Sequence, residues 1–400
     1  MKILQINNNH YYSGGTEAVY LNTIKLLEER GHKVAAFSIN NTRNISTKYS
    51  KFFITNKNLS HNNFYSFLAK KNISKLIAED KPDIAHIHNI VGGISFSILP
   101  VLKKMGIPII SSIHNYRYLC PAYIFINGKN EICEKCSGGN YYNCIINNCS
   151  RESKYKSVLI TLESYMREKI FPFQKFIDKF IFVSNFAKNK FVQNYPQIEK
   201  RSFQIYNFRK EAMSNVKKKK GNYFLYFGRL EREKGINTLI KSFSLLHNEK
   251  LLIIGDGPLR NKLMTNKPPN VELLGYKKGK ELEDFICNAH FVIVPSEWYE
   301  NNPMSIVEAY SFGIPVIGSN LGGIPEIILD GKTGFIFEAK NSVELTSVIS
   351  NAARLDEETY INFSNNALEF ANQNFNSERY SKKLIEIYKQ TIEEKFLQMS

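Results

Sequence analysis

The stretch that most limits how this chain can fold runs from Pro295 to Ile317, PSEWYENNPMSIVEAYSFGIPVI. The apolar, β-branched FVIVP that leads into it reads as a buried strand. A short loop follows, then a helix closed by Gly313 and Pro315, and PVI restarts the chain as another buried strand. Glu300 stands in the loop just before the helix, and Glu308 projects from inside it. Between them, the Asn301-Asn302-Pro303-Met304 opening leaves the first backbone N–H groups of the helix without intrahelical partners. Such a terminus is ready for an anion. Amides for phosphate and carboxylates for hydroxyls suit a sugar nucleotide. The plain alternative is a pair of solvated surface acids. Against it, Glu308 lies within IVEAYSFGIPVI, where a solvated acid is out of place.

The same alternation recurs along the chain. MKILQI, a Gly14-Gly15 loop, an amphipathic run ended by Gly31 and KVAAFS form a β-α-β unit. Its glycine loop falls at the carboxyl end of the first strand, where ligands bind in open α/β sheets. PDIAHIHN is a strand that puts His86 and His88 on one face; a metal pair and a plain strand-end pair are both open. IPIISSIHN is the next strand and ends at His114, and FIFVSNFAKNKF reads as a strand, an N-cap at Ser184 and a helix. The charged run KEAMSNVKKKKGN has the composition of an inter-domain connection. Beyond it, YFLYFGRLEREKG is a strand that ends at Gly228, with Arg229 and Lys234 around the following turn. A guanidinium fork and an ammonium point charge at a strand's carboxyl end suit a diphosphate. LLIIGDGPL, VELLGY and SNLGGIPEIILDGKTGFIF supply further strands and glycine turns, and the tail from Asn341 is helical.

Taken together, these residues resemble the retaining glycosyltransferases of family 4, of GT-B fold (the group 1 glycosyl transferases). Glu300 and Glu308 match the family's Glu-x7-Glu signature, and the resemblance covers nearly the whole chain. It implies an α/β fold of two Rossmann-like domains facing each other across a cleft, with a final helix crossing back to the first domain. The expected divisions are 1–210 for the acceptor-side domain, with a cysteine-rich insertion at 116–150; 211–375 for the donor domain; and 376–400 for the returning helix. By resemblance, Arg229 and Lys234 hold the leaving diphosphate, Glu300 and His114 contact the transferred sugar, and Glu308 holds the ribose hydroxyls. Gly15 and Gly228 border the phosphates, Gly255 and Gly257 shape the backbone, and Tyr276 flanks the base. Asn301 and Asn302 depart from the glycine common after the first Glu, which bears on which sugar is accepted.

The net charge of +16 is uneven. Residues 1–210 carry 30 Lys and Arg against 13 Asp and Glu, while the remainder is near balance. Nucleic acid, polyphosphate and anionic lipid are the partners such a balance invites, nucleic acid being the least expected here. Each basic side chain near an anionic bilayer contributes on the order of 1 kcal/mol, so a basic face can hold this domain to a membrane. SVLITLESYMREKIFPFQKF interleaves aromatics and lysines. It reads either as a helix lying on a membrane surface or as a core helix with a solvated basic face. No apolar run is long enough to span a bilayer, and MKILQI enters a strand directly, so a cytoplasmic protein without a signal peptide is expected. Cys133, Cys136, Cys144 and Cys149 have spacings compatible with a structural zinc site, with free thiols as the alternative and Cys120 either spare or a substitute.

There is no Walker A motif, no G-x-G-x-x-G and no Asp-x-Asp. The resemblance implies metal-independent transfer of a hexosyl group from a nucleoside diphosphate sugar (UDP or GDP type), with retention, to a lipid-linked or polysaccharide acceptor. The alternatives are a sugar-nucleotide epimerase on the same fold and a non-catalytic basic module for membrane or nucleic acid.

Overall fold

A computed structural model describes residues 1–55, 64–151, 153–209 and 220–399. Residues 210–219, most of the expected connection, lie outside the described residues. The chain divides into two compact units, Met1–Ile205 with Glu378–Ser400, and Tyr206–Ser377.

The first unit is built on a sheet of β1 (Lys2–Ile6), β2 (Lys33–Phe37), β3 (Ile84–Ile87), β4 (Ile109–Ile113), β5 (Lys179–Phe182) and β6 (Ser202–Gln204). All pairings are parallel, in the order β2-β1-β3-β4-β5-β6. These strands are short and apolar because helices cover both faces, and every residue of β3, β4 and β5 is buried. The helices that matter below are α1 (Gly15–Glu29), α2 (Phe67–Glu79), α3 (Lys154–Ile170) and α4 (Asn185–Asn194). Ser184 caps α4, its side chain accepting from the Ala187 N–H.

The second unit holds β7 (Phe224–Phe227), β8 (Leu251–Ile254), β9 (Val271–Gly275), β10 (Phe291–Val294), β11 (Val316–Ser319) and β12 (Gly334–Phe337). They run parallel in the order β12-β11-β10-β7-β8-β9. In chain order this is 3-2-1-4-5-6, the doubly wound arrangement, and its direction reverses between β7 and β10. Strand alternation divides the core between the two faces. Phe224, Tyr226, Phe291 and Ile293 pack under α5 (Ile236–Phe243) and α7 (Ser342–Ala353). Leu225, Val292 and Val294 pack under α6 (Met304–Ser311) and α8 (Glu357–Asn374).

The last helix, α9 (Ser377–Met399), belongs almost wholly to the first unit. Tyr388 Oη lies 2.6 Å from His86 Nδ1, Tyr380 Oη 3.1 Å from Thr23 Oγ1, and Lys179 Nζ 2.9 Å from Glu394 Oε1. No helix among the described residues is long and apolar enough to cross a membrane.

Candidate active site

Open parallel sheets bind ligands beyond the carboxyl ends of strands flanking the reversal point. In the second unit those strands are β7 and β10, and they carry the expected cations and the first carboxylate. The loop after β7 starts at Gly228 and passes Arg229 to a single turn at Arg232–Lys234. The loop after β10 runs from Pro295 to Pro303, which caps α6. The Glu297 N–H donates to Glu233 O at 2.7 Å, and Thr238 Oγ1 donates to Glu297 Oε1 at 2.6 Å, so the two loops are tied together. Gly235 makes this approach possible. It sits at φ +73°, and a Cβ there would stand 1.7 Å from Pro295 O.

The result is a short ion pair. Lys234 Nζ lies 2.6 Å from Glu300 Oε1, with both side chains mostly buried. Ser296 Oγ donates to the same oxygen at 2.9 Å, and the Lys234 ammonium stands 5.1 Å from the centre of the Trp298 ring. Burial alone raises the Glu300 pKa. The Lys234 charge and the hydrogen bonds from Lys234 and Ser296 outweigh it, and the carboxyl is held below its ordinary value. Behind Glu300, the Gly323 N–H donates to Glu300 O at 2.6 Å. Gly322 is at φ +67°, and a Cβ there would come within 2.5 Å of Glu300 O. The glycine turn after β11 therefore fixes the Glu300 backbone.

Arg229 is more than half exposed and pairs with Glu231 at 2.9 Å. Glu308 lies half-buried in α6; burial pushes its pKa up to about 7, against the pull of Arg209. Arg209 itself pairs with Glu283 at 2.9 Å and stacks 3.8 Å over the Phe312 ring. Asn302 is engaged structurally: its Oδ1 accepts from the Asn207 N–H at 2.7 Å, and its backbone oxygen from Asn207 Nδ2 at 3.0 Å. Asn301 is buried beside it, and Met304 is half-buried as the first residue of α6. Tyr276 is exposed just past β9, on the edge strand, two strands away from β7. The structure thus joins Lys234 to Glu300 directly and leaves Tyr276 at the sheet edge.

The first unit carries Gly15 and His114. Gly14 precedes α1 without a side-chain cap, so the helix opens on bare amides at Gly15. The loops after β1 and β3 are stitched by asparagines: the Asn89 N–H donates to Asn7 Oδ1 at 3.1 Å, and Asn8 Nδ2 to Val91 O at 2.7 Å. The Asn7-Asn8-Asn9 run was visible in the sequence, but its partners were not. His114, at the end of β4, has its Nε2 3.0 Å from His88 Nδ1. His88 Nε2 lies 2.9 Å from Gln5 Oε1, and Gln5 Nε2 donates to Tyr388 Oη at 3.1 Å. A buried chain of hydrogen bonds therefore runs from His114 through His88 and Gln5 to α9. Burial keeps all three histidines neutral, lowering His86 to about 3 and His114 to about 4, with His88 also well below its ordinary value.

In the cysteine-rich segment Cys120, Cys136, Cys144 and Cys149 are buried, while Cys133 is only half-buried. Burial pushes the Cys120 thiol up to about 11 and raises the Cys136 thiol as well, and the Cys149 N–H donates to the Cys144 carbonyl at 3.1 Å. Among the described residues, no three His, Cys, Asp or Glu side chains stand together in a group that could hold a metal ion. The thiols as placed do not form a zinc ligand set.

Two family models divide the chain between them. Glycosyltransferase Family 4 matches residues 13–209, and Glycosyl transferases group 1 matches residues 207–370. The chain carries a family 4 glycosyltransferase domain followed by a group 1 glycosyl transferase domain. It is 26% identical over 353 residues to an uncharacterized 42.6 kDa protein in the cps region of Klebsiella pneumoniae, covering 82% of this chain and 87% of that one. It spans about half the length of several other curated relatives. Among solved structures, a glycosyltransferase from Rickettsia africae superposes with a TM-score of 0.68 at 20% identity, over 98% of both chains. HepE of Anabaena, in complex with UDP-glucose, superposes with a TM-score of 0.66 at 18% identity, over 98% of both. These likenesses establish the GT-B fold for this glycosyltransferase. The GT-B expectation is met by two parallel six-stranded sheets with flanking helices.

Proposed function

We propose that this glycosyltransferase moves a hexosyl group from a nucleoside diphosphate sugar, with retention of configuration, to a polysaccharide or lipid-linked glycan acceptor. The observation that carries the reading is the Lys234–Glu300 pair at the reversal point of the second sheet. A donor needs a cation for its diphosphate and a hydroxyl acceptor for its sugar. Here both groups stand 2.6 Å apart on loops tied to each other. As the sugar–phosphate bond breaks, negative charge grows on the diphosphate; Lys234 and Arg229 stabilise it where it develops. Glu308 accepts from the ribose hydroxyls, and the amides at the start of α6 add dipole to the phosphate side. Catalysis through these residues requires no metal. The UDP-glucose held by HepE supports a uridine nucleotide as the first donor to try, and the cps-region relative supports a polysaccharide acceptor.

The test is thermal shift with UDP, GDP and ADP and their sugars, on wild type and Lys234→Ala. A ligand at 100 times its dissociation constant stabilises by about 2.7 kcal/mol. One nucleotide series should raise the wild-type midpoint and leave Lys234→Ala unmoved. If no series shifts the folded wild type, or Arg229→Ala turns over donor at the wild-type rate, the reading fails.

A further inference from the structure

Helix α3 is inside out. Its buried residues are polar: Ser157, Thr161, Glu163, Ser164 and Arg167. They form a hydrogen-bonded seam, in which Arg167 Nε donates to Glu163 Oε1 at 3.0 Å, and Arg167 Nη2 to Arg117 O at 3.0 Å and Ser164 Oγ at 3.2 Å. The opposite side is apolar and open to solvent. Tyr155 is 72% exposed, Leu162 49%, Met166 39% and Ile170 52%. Their spacing of seven, four and four residues places them on one stripe. A core helix with a solvated basic face, one of the two sequence readings, would show the reverse.

Past the end of α3, Phe171 turns into the core, and the half-buried Tyr65 ring lies 6.2 Å from it and 4.6 Å from Phe67. Phe67 opens α2 at 78% exposure, with Leu68 next to it also exposed. Among the described residues, the exposed charges of α3 and of the start of α2 are basic. Lys154, Lys156 and Lys169 are exposed on α3, and Lys70 and Lys71 on α2. The acids of α3 within the described residues are turned elsewhere: Glu163 is buried against Arg167, and Glu168 accepts from Tyr195 Oη at 3.2 Å.

We propose that this face of the first unit docks on an anionic lipid bilayer. Helix α3 lies in the interface plane, with Tyr155, Leu162, Met166 and Ile170 at the acyl boundary and the lysines at the headgroups. An apolar stripe with a basic fringe is the pattern of interfacial helices. A second copy of the chain is the poorer occupant, because it would bring one lysine fringe against another. The polar seam on the buried side also excludes a spanning role for α3. The surface belongs to the first unit, whereas Lys234, Glu300 and Glu308 belong to the second, so the proposal survives or fails independently of the donor chemistry.

The experiment is flotation of the full chain with phosphatidylcholine vesicles, with and without phosphatidylglycerol. Wild type should float with the anionic vesicles, be released by salt, and remain behind with the neutral ones. The variant L162Q/M166Q/I170Q, altered only at exposed positions, should keep its thermal midpoint and bind at least about tenfold more weakly. K154E/K156E/K169E should lose binding by a similar factor. Wild-type-like flotation of the apolar variant overturns the proposal, as does equal binding to neutral vesicles. So does a wild type that ignores vesicles but forms a dimer by analytical ultracentrifugation that the apolar variant cannot form.

Discussion

At the level of single residues, both cations of the site are paired with carboxylates, and this makes its variants distinguishable. Lys234 is held by Glu300, and Arg229 by Glu231. An arriving diphosphate competes with a carboxylate for Lys234. Glu300→Gln removes that competitor while keeping a group that can bond Ser296 and Lys234. It should therefore bind UDP at least as tightly as wild type while turnover falls by about a hundredfold or more; calorimetry and a donor-consumption assay read the two separately. Lys234→Ala does the opposite, leaving a buried carboxylate without its cation. Nucleotide affinity should fall together with about 3 kcal/mol of stability, visible in denaturant midpoints. Glu308 supplies the pH dependence. Its folded pKa of about 7 lies above its ordinary 4.5, so the folded chain binds the extra proton between those values. Its contribution to stability is therefore full below about 4.5, falls as pH rises toward 7, and is level above that. Ribose hydroxyls need the ionised form as acceptor, so nucleotide affinity should strengthen through pH 7, and Glu308→Gln should flatten that profile. Arg229, Lys234 and Glu300 were legible because they follow strand ends, and Glu308 because it is an acid within an apolar helix. Their pairing was not, since Lys234 and Glu300 are 66 residues apart and meet only because β7 and β10 are neighbours. Arg209 was missed for the same reason; the sole sign of it was a cation closing QIYNFR, just before Lys210.

At the level of elements, the chain of hydrogen bonds on β3 has a direction. Gln5 offers Oε1 to His88 and Nε2 to Tyr388. Neutral His88 then donates from Nε2 and accepts at Nδ1, so His114 must donate from Nε2. Tyr388 donates on to His86 Nδ1, and His86 Nε2 to Ser112 Oγ. A helix at the far end of the chain thereby sets the tautomer of a histidine at the end of β4. Tyr388→Phe removes both bonds made by the hydroxyl and frees Gln5 to turn over. Stability should fall by about 1–2 kcal/mol. In nitrogen NMR of labelled histidine, the His114 Nε2–H tautomer that dominates in wild type should become mixed. An unchanged tautomer would mean that something other than Gln5 orients the ring. The alternation of His86 and His88 was readable from the strand period, but the tail showed only that it was helical. A helical pattern gives the face and not the partner, which is also why α3 could be read with its faces either way round.

At the level of the whole molecule, the chain order makes the second unit an insertion in the first, because Glu378–Ser400 completes the unit that Met1–Ile205 begins. Helix α9 is no ornament there. It buries Tyr380, Leu384, Ile387 and Tyr388 almost completely, and large apolar side chains bring about 1.5–3 kcal/mol each when buried. Their sum is comparable to the 5–15 kcal/mol that holds a typical domain folded, before the lost hydrogen bonds to Thr23, His86 and Lys179 are added. A chain ending at Ser377 should therefore lose its first unit selectively. The second unit keeps both faces of its core, with Lys234, Glu300 and Glu308 all inside Tyr206–Ser377. Limited proteolysis of residues 1–377 should leave a resistant fragment starting near residue 206 while residues 1–205 are digested. The isolated segment 206–377 should give a cooperative thermal transition that moves up with the nucleotide series favoured by the full chain. Equal resistance of both halves in the truncated chain would mean that the first sheet stands without α9, and that the buried tyrosines adjust a fold they do not complete.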